Sequence, residues 1–385
     1  MPMYHCLGKV PRKRHMAFRQ DDGTLYAEEL MGSQGFSGPA SLLYHLRAPT
    51  SVRRVKLLKK LAWAADPEPV LRHRHFKTAA LPEGSSMCTD RVPLLFNSEV
   101  AISFTRPHHD DAFFYRNSQG DEIVFVSDGA GVLESPFGML GFHKGDYLII
   151  PRGVLHRYHW RPGPIACLII ESAGAVRTPQ RYRNEFGQLL EHCPYSERDI
   201  RRPDQLNVHD ETGEFPTIVK RDNRFIEVVL DHHPFDVVGW DGYYYPWAFN
   251  IADFEPRVGR FHLPPPTHQT FEGDGFVVCS FCPRPYDFDP QSIPIPYNHS
   301  NVMSDEVIYY ASSEFMSRKG IEYGSITLHP DGVPHGPHPG KAEESIGQTH
   351  TNELAVMVDT FRPLLVATGA VAVEDQDYHR SWFEG

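Results

Sequence analysis

The chain has 385 residues, with 38 Lys and Arg against 49 Asp and Glu. The formal charge of −11 excludes broad non-specific affinity for nucleic acid or an anionic membrane surface. A hydrophobic content of 41% excludes a disordered chain, and the length exceeds what one core usually holds, so two domains are expected.

The opening segment MPMYHCLGKVPRKRH lacks the apolar stretch of a signal peptide. No run approaches the roughly 18 apolar residues of a membrane span. A cytoplasmic location is therefore the expectation. Residues 1–95 read as an N-terminal segment that packs on the β-rich remainder of the chain, with one helix near Ser51–Ala65. Its basic stretch RRVKLLKK (Arg53–Lys60) reads as a solvated helix face rather than a binding patch.

From about residue 97 the pattern changes to short β-rich runs bounded by Gly, Pro, Asp or Asn: VAISFT, EIVFVS, YLIIPR and IACLIIES. Residues 96–176 are thus expected to form one antiparallel barrel. Residues 177–250, rich in charge, Pro and aromatics, bridge to a second β unit over 251–385 with the runs FVVCSF, EVIYYA, SITLHP and LAVMVDTF. The six cysteines form no disulfide framework, and Cys279 and Cys282, a lone CxxC in an apolar run, read as buried thiols.

Two motifs recur in order. YRNSQGDEIVFV (Tyr115–Val126) matches HSNVMSDEVIYY (His299–Tyr310) at a displacement of 184 residues. GDYLIIPRGVLH (Gly145–His156) matches GSITLHPDGVPH (Gly324–His335) at 179. The fold class expected is mainly β, a duplicated barrel with an N-terminal extension and an inter-barrel segment. The motifs resemble the cupin pattern, in which a His-x-His/Asn, a carboxylate and a later His converge inside a small barrel.

His299 and Asn301 share a face of a strand, Glu306 opens the next strand, and His335 lies on a later one. Two imidazoles and one carboxylate on one side of an ion leave about three positions open, as expected for non-haem Fe(II) oxygenases. Asp305 and Glu306 are adjacent and point to opposite faces, so one of them ligates. The repeat aligns Glu306 with Glu122 and favours it, with Asp305 as the rival. The first barrel has Tyr115 where the second has His299, so it is expected to hold no metal, although Glu122 with His156 and His159 leaves a weak site open. The pairs His73 and His75, His108 and His109, and His232 and His233 lack a carboxylate at this spacing and read as surface residues.

Four stretches resemble homogentisate 1,2-dioxygenase. These are LYAEELMGSQGFSGPASLLYHLR (Leu25–Arg47), YRNSQGDEIVFV, HPFDVVGWDGYYYPWAFN (His233–Asn250), and HSNVMSDE with LHPDGVPHGP (Leu328–Pro337). The resemblance implies Fe(II) held by His299, Glu306 and His335, with a substrate contact from His329. It implies a general base at His268 in PPPTHQTF, with His262 as rival. The family's carboxylate lies six residues after the first histidine, where this chain has Asp305. A family tyrosine that contacts substrate falls on Phe315, which has no hydroxyl; Tyr309 or Tyr310 is the candidate to compensate.

The activity implied is cleavage of homogentisate by O2 to maleylacetoacetate, within tyrosine and phenylalanine catabolism. The partners implied are a small aromatic acid, O2 and further copies of the chain. A dioxygenase of another hydroquinone-like acid such as gentisate, or a non-catalytic ligand-binding double barrel, are the alternatives.

Overall fold

The computed structural model describes residues 3–383. The architecture is a duplicated cupin in which all strand pairings but one are antiparallel, the exception joining Thr217–Lys220 to Phe114–Asn117. A seven-stranded sheet orders 247–250, 146–150, 121–128, 166–172, 100–105, 92–96 and 365–366, and a three-stranded sheet (138–143, 130–135, 157–160) accompanies it. A six-stranded sheet orders 269–273, 276–281, 355–360, 305–310, 325–329 and 74–77.

The two halves repeat each other in detail. Tyr115 and His156 exchange backbone hydrogen bonds at 2.9 and 2.9 Å in an isolated bridge. His299 and His335 do the same at 2.8 and 2.9 Å. Each later histidine follows a glycine in the left-handed region, Gly153 (φ 83°) and Gly332 (φ 78°), a turn that a residue with a Cβ adopts only with strain. That turn sends the chain back across the barrel and delivers the histidine opposite its partner.

The sheets are laced across the chain. Arg74–Lys77, from the N-terminal segment, pairs with Ser325–His329 of the second half. Leu365–Val366, near the C-terminus, pairs with Leu95 and Phe96. Trp247–Asn250 extends the first-half sheet beside Asp146–Ile149. Tyr309 on one side donates to Ser127 Oγ at 2.5 Å on the other, and Tyr147 Oη meets Ser280 Oγ at 2.8 Å.

The helix expected near 51–65 is not there. Val52–Lys60 is an edge strand paired with Arg224–Leu230, and all nine of its residues are exposed. The hairpin 212–221/224–232 offers an open edge, and pairing distant in sequence overrides the helix-like spacing of Val55 and Leu58. Cys279 and Cys282 are buried free thiols, and no disulfide forms among the described residues. His75, His232 and His233 are buried rather than at the surface, because each lies on or beside a paired strand. No helix among the described residues is long and apolar enough to cross a membrane.

Candidate metal centre and its cavity

His299, Glu306 and His335 converge. One donor atom from each lies within 4.8 Å of the others, the only such His, Cys, Asp and Glu group found among the described residues. Glu306 Oε2 is 3.8 Å from His299 Nε2 and 3.6 Å from His335 Nε2. Cis donors on one ion about 2.1 Å away lie about 3 Å apart, so each of these pairs must close by about 0.6–0.8 Å to bind one. His299 Nδ1 faces the Tyr297 carbonyl at 3.1 Å, and His335 Nδ1 faces that of Val333 at 3.5 Å. Both Nδ1–H groups are directed to backbone, which leaves the Nε2 lone pairs free for a cation. His335 Nε2 is buried and has no hydrogen-bond partner. The donor set and this orphaned nitrogen fit a divalent ion.

Glu306 is held from behind. His329 Nδ1 lies 2.7 Å from its Oε1 and Arg318 Nη2 is 3.7 Å from the same oxygen. Burial alone would raise the Glu306 pKa, but the three histidines beside it hold the carboxyl well below its usual range. Arg318 is itself fixed by donating to the Gly336 carbonyl at 2.6 Å. Burial pushes His329 down to about 3, so it is a neutral imidazole.

Asp305, the rival candidate, points away from the trio. Its Oδ1 accepts from the Asp331 amide at 2.8 Å and its Oδ2 from the Leu364 amide at 2.7 Å, on the opposite face of the strand. Its work is to tie two loops.

His299 and Glu306 of the trio border a cavity of about 400 Å³, within the usual range for a small-molecule site. His268, His262, His299, Glu306 and Phe315 line it, with Ile308, Met357 and Phe281 as apolar wall. Burial pushes His268 down to about 3, and its Nδ1 has no partner. His262 lies 4.0 Å from Asp287 and also has a buried unpartnered nitrogen, Nε2. Both candidate bases thus reach the same space.

Two expected substrate contacts are placed elsewhere. Tyr309 is three residues from Glu306, hence on the other face of the strand, where its hydroxyl bonds Ser127 and its ring meets Phe104 and Phe125. His329 is fully buried and stands beside Glu306 rather than on the cavity wall. Tyr310 shares the face of Glu306 but bonds Thr327 Oγ1 at 3.0 Å.

Four residues that matter here escape the motif analysis. Asp359 lines the cavity with a buried, unpartnered Oδ1, and Arg318 backs Glu306. His73 and Trp382 pack on the histidine layer, their rings 5.4 and 6.1 Å from that of His329. The only sequence signal for Asp359 is a single acid inside the apolar run LAVMVDTF.

The corresponding place in the first barrel is filled by protein. Arg91 donates to both oxygens of Glu122, at 2.7 and 2.9 Å, and Asn117 adds a bond at 2.8 Å. His159 turns away to Glu134 at 2.7 Å, so it does not join Glu122 and His156.

Comparison with known proteins bears on the family of the chain. The family model "Homogentisate 1,2-dioxygenase N-terminal" matches residues 88–251. A Saccharolobus solfataricus protein named "Putative dioxygenase SSO1533" is 42% identical over 100% of both chains. The chain belongs to the homogentisate 1,2-dioxygenase family. It is a dioxygenase, and its relatives in that family support ring cleavage. The homogentisate 1,2-dioxygenase of Nitrobacter hamburgensis is 27% identical over 97% of this chain and 90% of its own. Among solved structures, a cupin 2 conserved barrel domain protein from Leptotrichia buccalis covers 79% of this chain and 100% of its own. Its TM-score of 0.34 and 10% identity are too low to bear on the chemistry. The family model ends at 251, so the candidate metal centre of this homogentisate 1,2-dioxygenase family member rests on its own geometry.

Proposed function

We propose that this chain is an Fe(II)-dependent dioxygenase that opens the ring of homogentisate with O2 to give maleylacetoacetate. The observation that carries the reading is the convergence of His299, Glu306 and His335 at a cavity with an apolar wall suited to an aromatic ring. The donor set of two imidazoles and one carboxylate, with room beside it, suits ferrous iron over a closed structural zinc site. A bound ferrous ion supplies the reaction of O2 with the ring that no side chain can.

The side chains do the rest. His299, Glu306 and His335 would hold the ion, beside the cavity where substrate and O2 enter. His329 and Arg318 fix the Glu306 carboxylate, so that the ligand set is rigid before substrate arrives. His268, neutral and with Nδ1 free, accepts a proton from a ring hydroxyl. Its lowered pKa weakens it as a base in the empty cavity, and an anionic ring beside it favours the imidazolium. His262 is the alternative acceptor. Phe315 offers ring contact without a hydroxyl, and this observation favours a second reading, a dioxygenase of gentisate.

Oxygen uptake by protein reconstituted anaerobically with Fe(II), over a panel of ring acids, tests the proposal. Turnover of homogentisate with the absorbance of maleylacetoacetate is expected. Turnover of gentisate with none of homogentisate would install the second reading. Iron binding without oxygen uptake on any hydroquinone-like acid would refute both.

A further inference from the structure

The duplication provides an internal comparison at the carboxylate across the ladder from the metal-facing one. In the first half Glu122 opposes Glu171, and in the second Glu306 opposes Asp359. Glu171 is engaged by protein: Asn117 donates at 2.9 Å, Gln119 at 3.0 Å, and Lys220 forms an ion pair with it. Asp359 Oδ1 is buried with no donor at all. Buried polar atoms are rarely left unmet, so an orphan at this position calls for a partner that the free protein does not contain.

Directly opposed residues of an antiparallel ladder project from the same face, so Asp359 enters the cavity beside Glu306, and it lines that cavity. Two residues along each strand, Ile308 opposes Met357, and both belong to an apolar cluster with Phe281 and Phe315 against it. Two other carboxylates on the cavity wall face cations or imidazoles: Glu353 pairs through Oε1 with Arg284 at 2.8 Å, its Oε2 unmet, and Asp287 faces His262 at 4.0 Å. A flat ring resting on Ile308 and Met357 and reaching the trio at one edge has Asp359 next to it.

We infer that Asp359 is the specificity residue for a second ring hydroxyl, the hydrogen-bond partner of a substrate hydroxyl that the metal centre does not engage. The inference deepens the ring-cleavage reading and rests on it. A hydroxyl both donates and accepts, so it satisfies the carboxyl whether or not that group carries a proton. A site built to bond a hydroxyl discriminates strongly against the analogue lacking it, because the buried partner is then left unmet.

Anaerobic calorimetry of the full-length, Fe(II)-loaded protein with 2,5-dihydroxyphenylacetate and 2-hydroxyphenylacetate tests this. Wild type is expected to prefer the dihydroxy acid at least tenfold. Asp359→Ala is expected to bind both acids equally, at the wild-type affinity for the monohydroxy acid, with iron content and Tm unchanged. Asp359→Asn, which keeps a donor and an acceptor, is expected to retain part of the preference, and it carries the test if the alanine variant does not fold. A full preference surviving in both variants, a parallel loss of both affinities, or loss of iron would overturn the assignment. If wild type binds neither acid, the homogentisate reading itself falls and takes the assignment with it. If wild type binds the dihydroxy acid and the variants keep its preference, the assignment falls alone.

Discussion

His299 and His335 are suited to act as ligands because of what their other nitrogens do. Each directs Nδ1 to the carbonyl two residues upstream, so the inward nitrogen is set before any ion arrives. Replacing His299 removes one donor of three without disturbing the core, since its side chain is partly exposed at the cavity. His299→Ala is expected to lose at least nine-tenths of its iron and nearly all oxygen uptake, while its Tm stays within a few degrees. Metal analysis of desalted protein, an oxygen electrode and a thermal melt check the three parts. The convergence of the candidate trio is legible in the sequence because the duplicated motif aligns Glu306 with Glu122. That Asp305 faces away from the trio is seen only in its three-dimensional partners, namely the amides of Asp331 and Leu364. Tyr309 is a different case: strand alternation from Glu306 already puts it on the far face, and the expectation of substrate contact ignores that period. Asp359 is hidden because its meaning depends on which strand lies beside it, a fact no local pattern contains.

At the level of strands and turns, the two halves diverge by what fills the barrel. Arg91 meets Glu122 bidentately with only 9% of its side chain exposed, so a guanidinium stands where the second half presents a ligand trio. A buried pair broken on one side leaves an uncompensated charge, a cost of about 3–5 kcal/mol, whereas replacing both partners by apolar groups is often nearly neutral. Arg91→Ala is therefore expected to lower stability by about that amount, and Arg91→Met with Glu122→Leu to recover most of it, as read from urea midpoints. Arg91 itself sits ahead of the repeated motifs, which is why the repeat alone does not reveal it. The barrels are legible from alternation and turn residues. Val52–Lys60 is not, since its basic, helix-spaced pattern becomes a strand only because the hairpin 212–232 leaves an edge for it.

On the scale of the whole molecule, the halves are joined by polar bonds inside an otherwise apolar seam. Tyr309 donates to Ser127, and Tyr323 also bonds Ser127, at 2.8 Å. Tyr309→Phe is expected to cost about 1–2 kcal/mol in denaturant unfolding, since it leaves a buried hydroxyl short of one partner. Its kcat and KM are expected to stay within about twofold of wild type, because the hydroxyl is outside the cavity; a large rise in KM would return Tyr309 to the substrate.

The strand Ser325–His329, which supplies His329 to the carboxylate, has Arg74–Lys77 as its outer neighbour. Cutting the chain between the halves would strip that neighbour and bare a row of unmet amides and carbonyls, an invitation to self-association. The duplication has thus become irreversible: each copy has lent the other a border, and neither can be returned to independence by simply undoing the fusion.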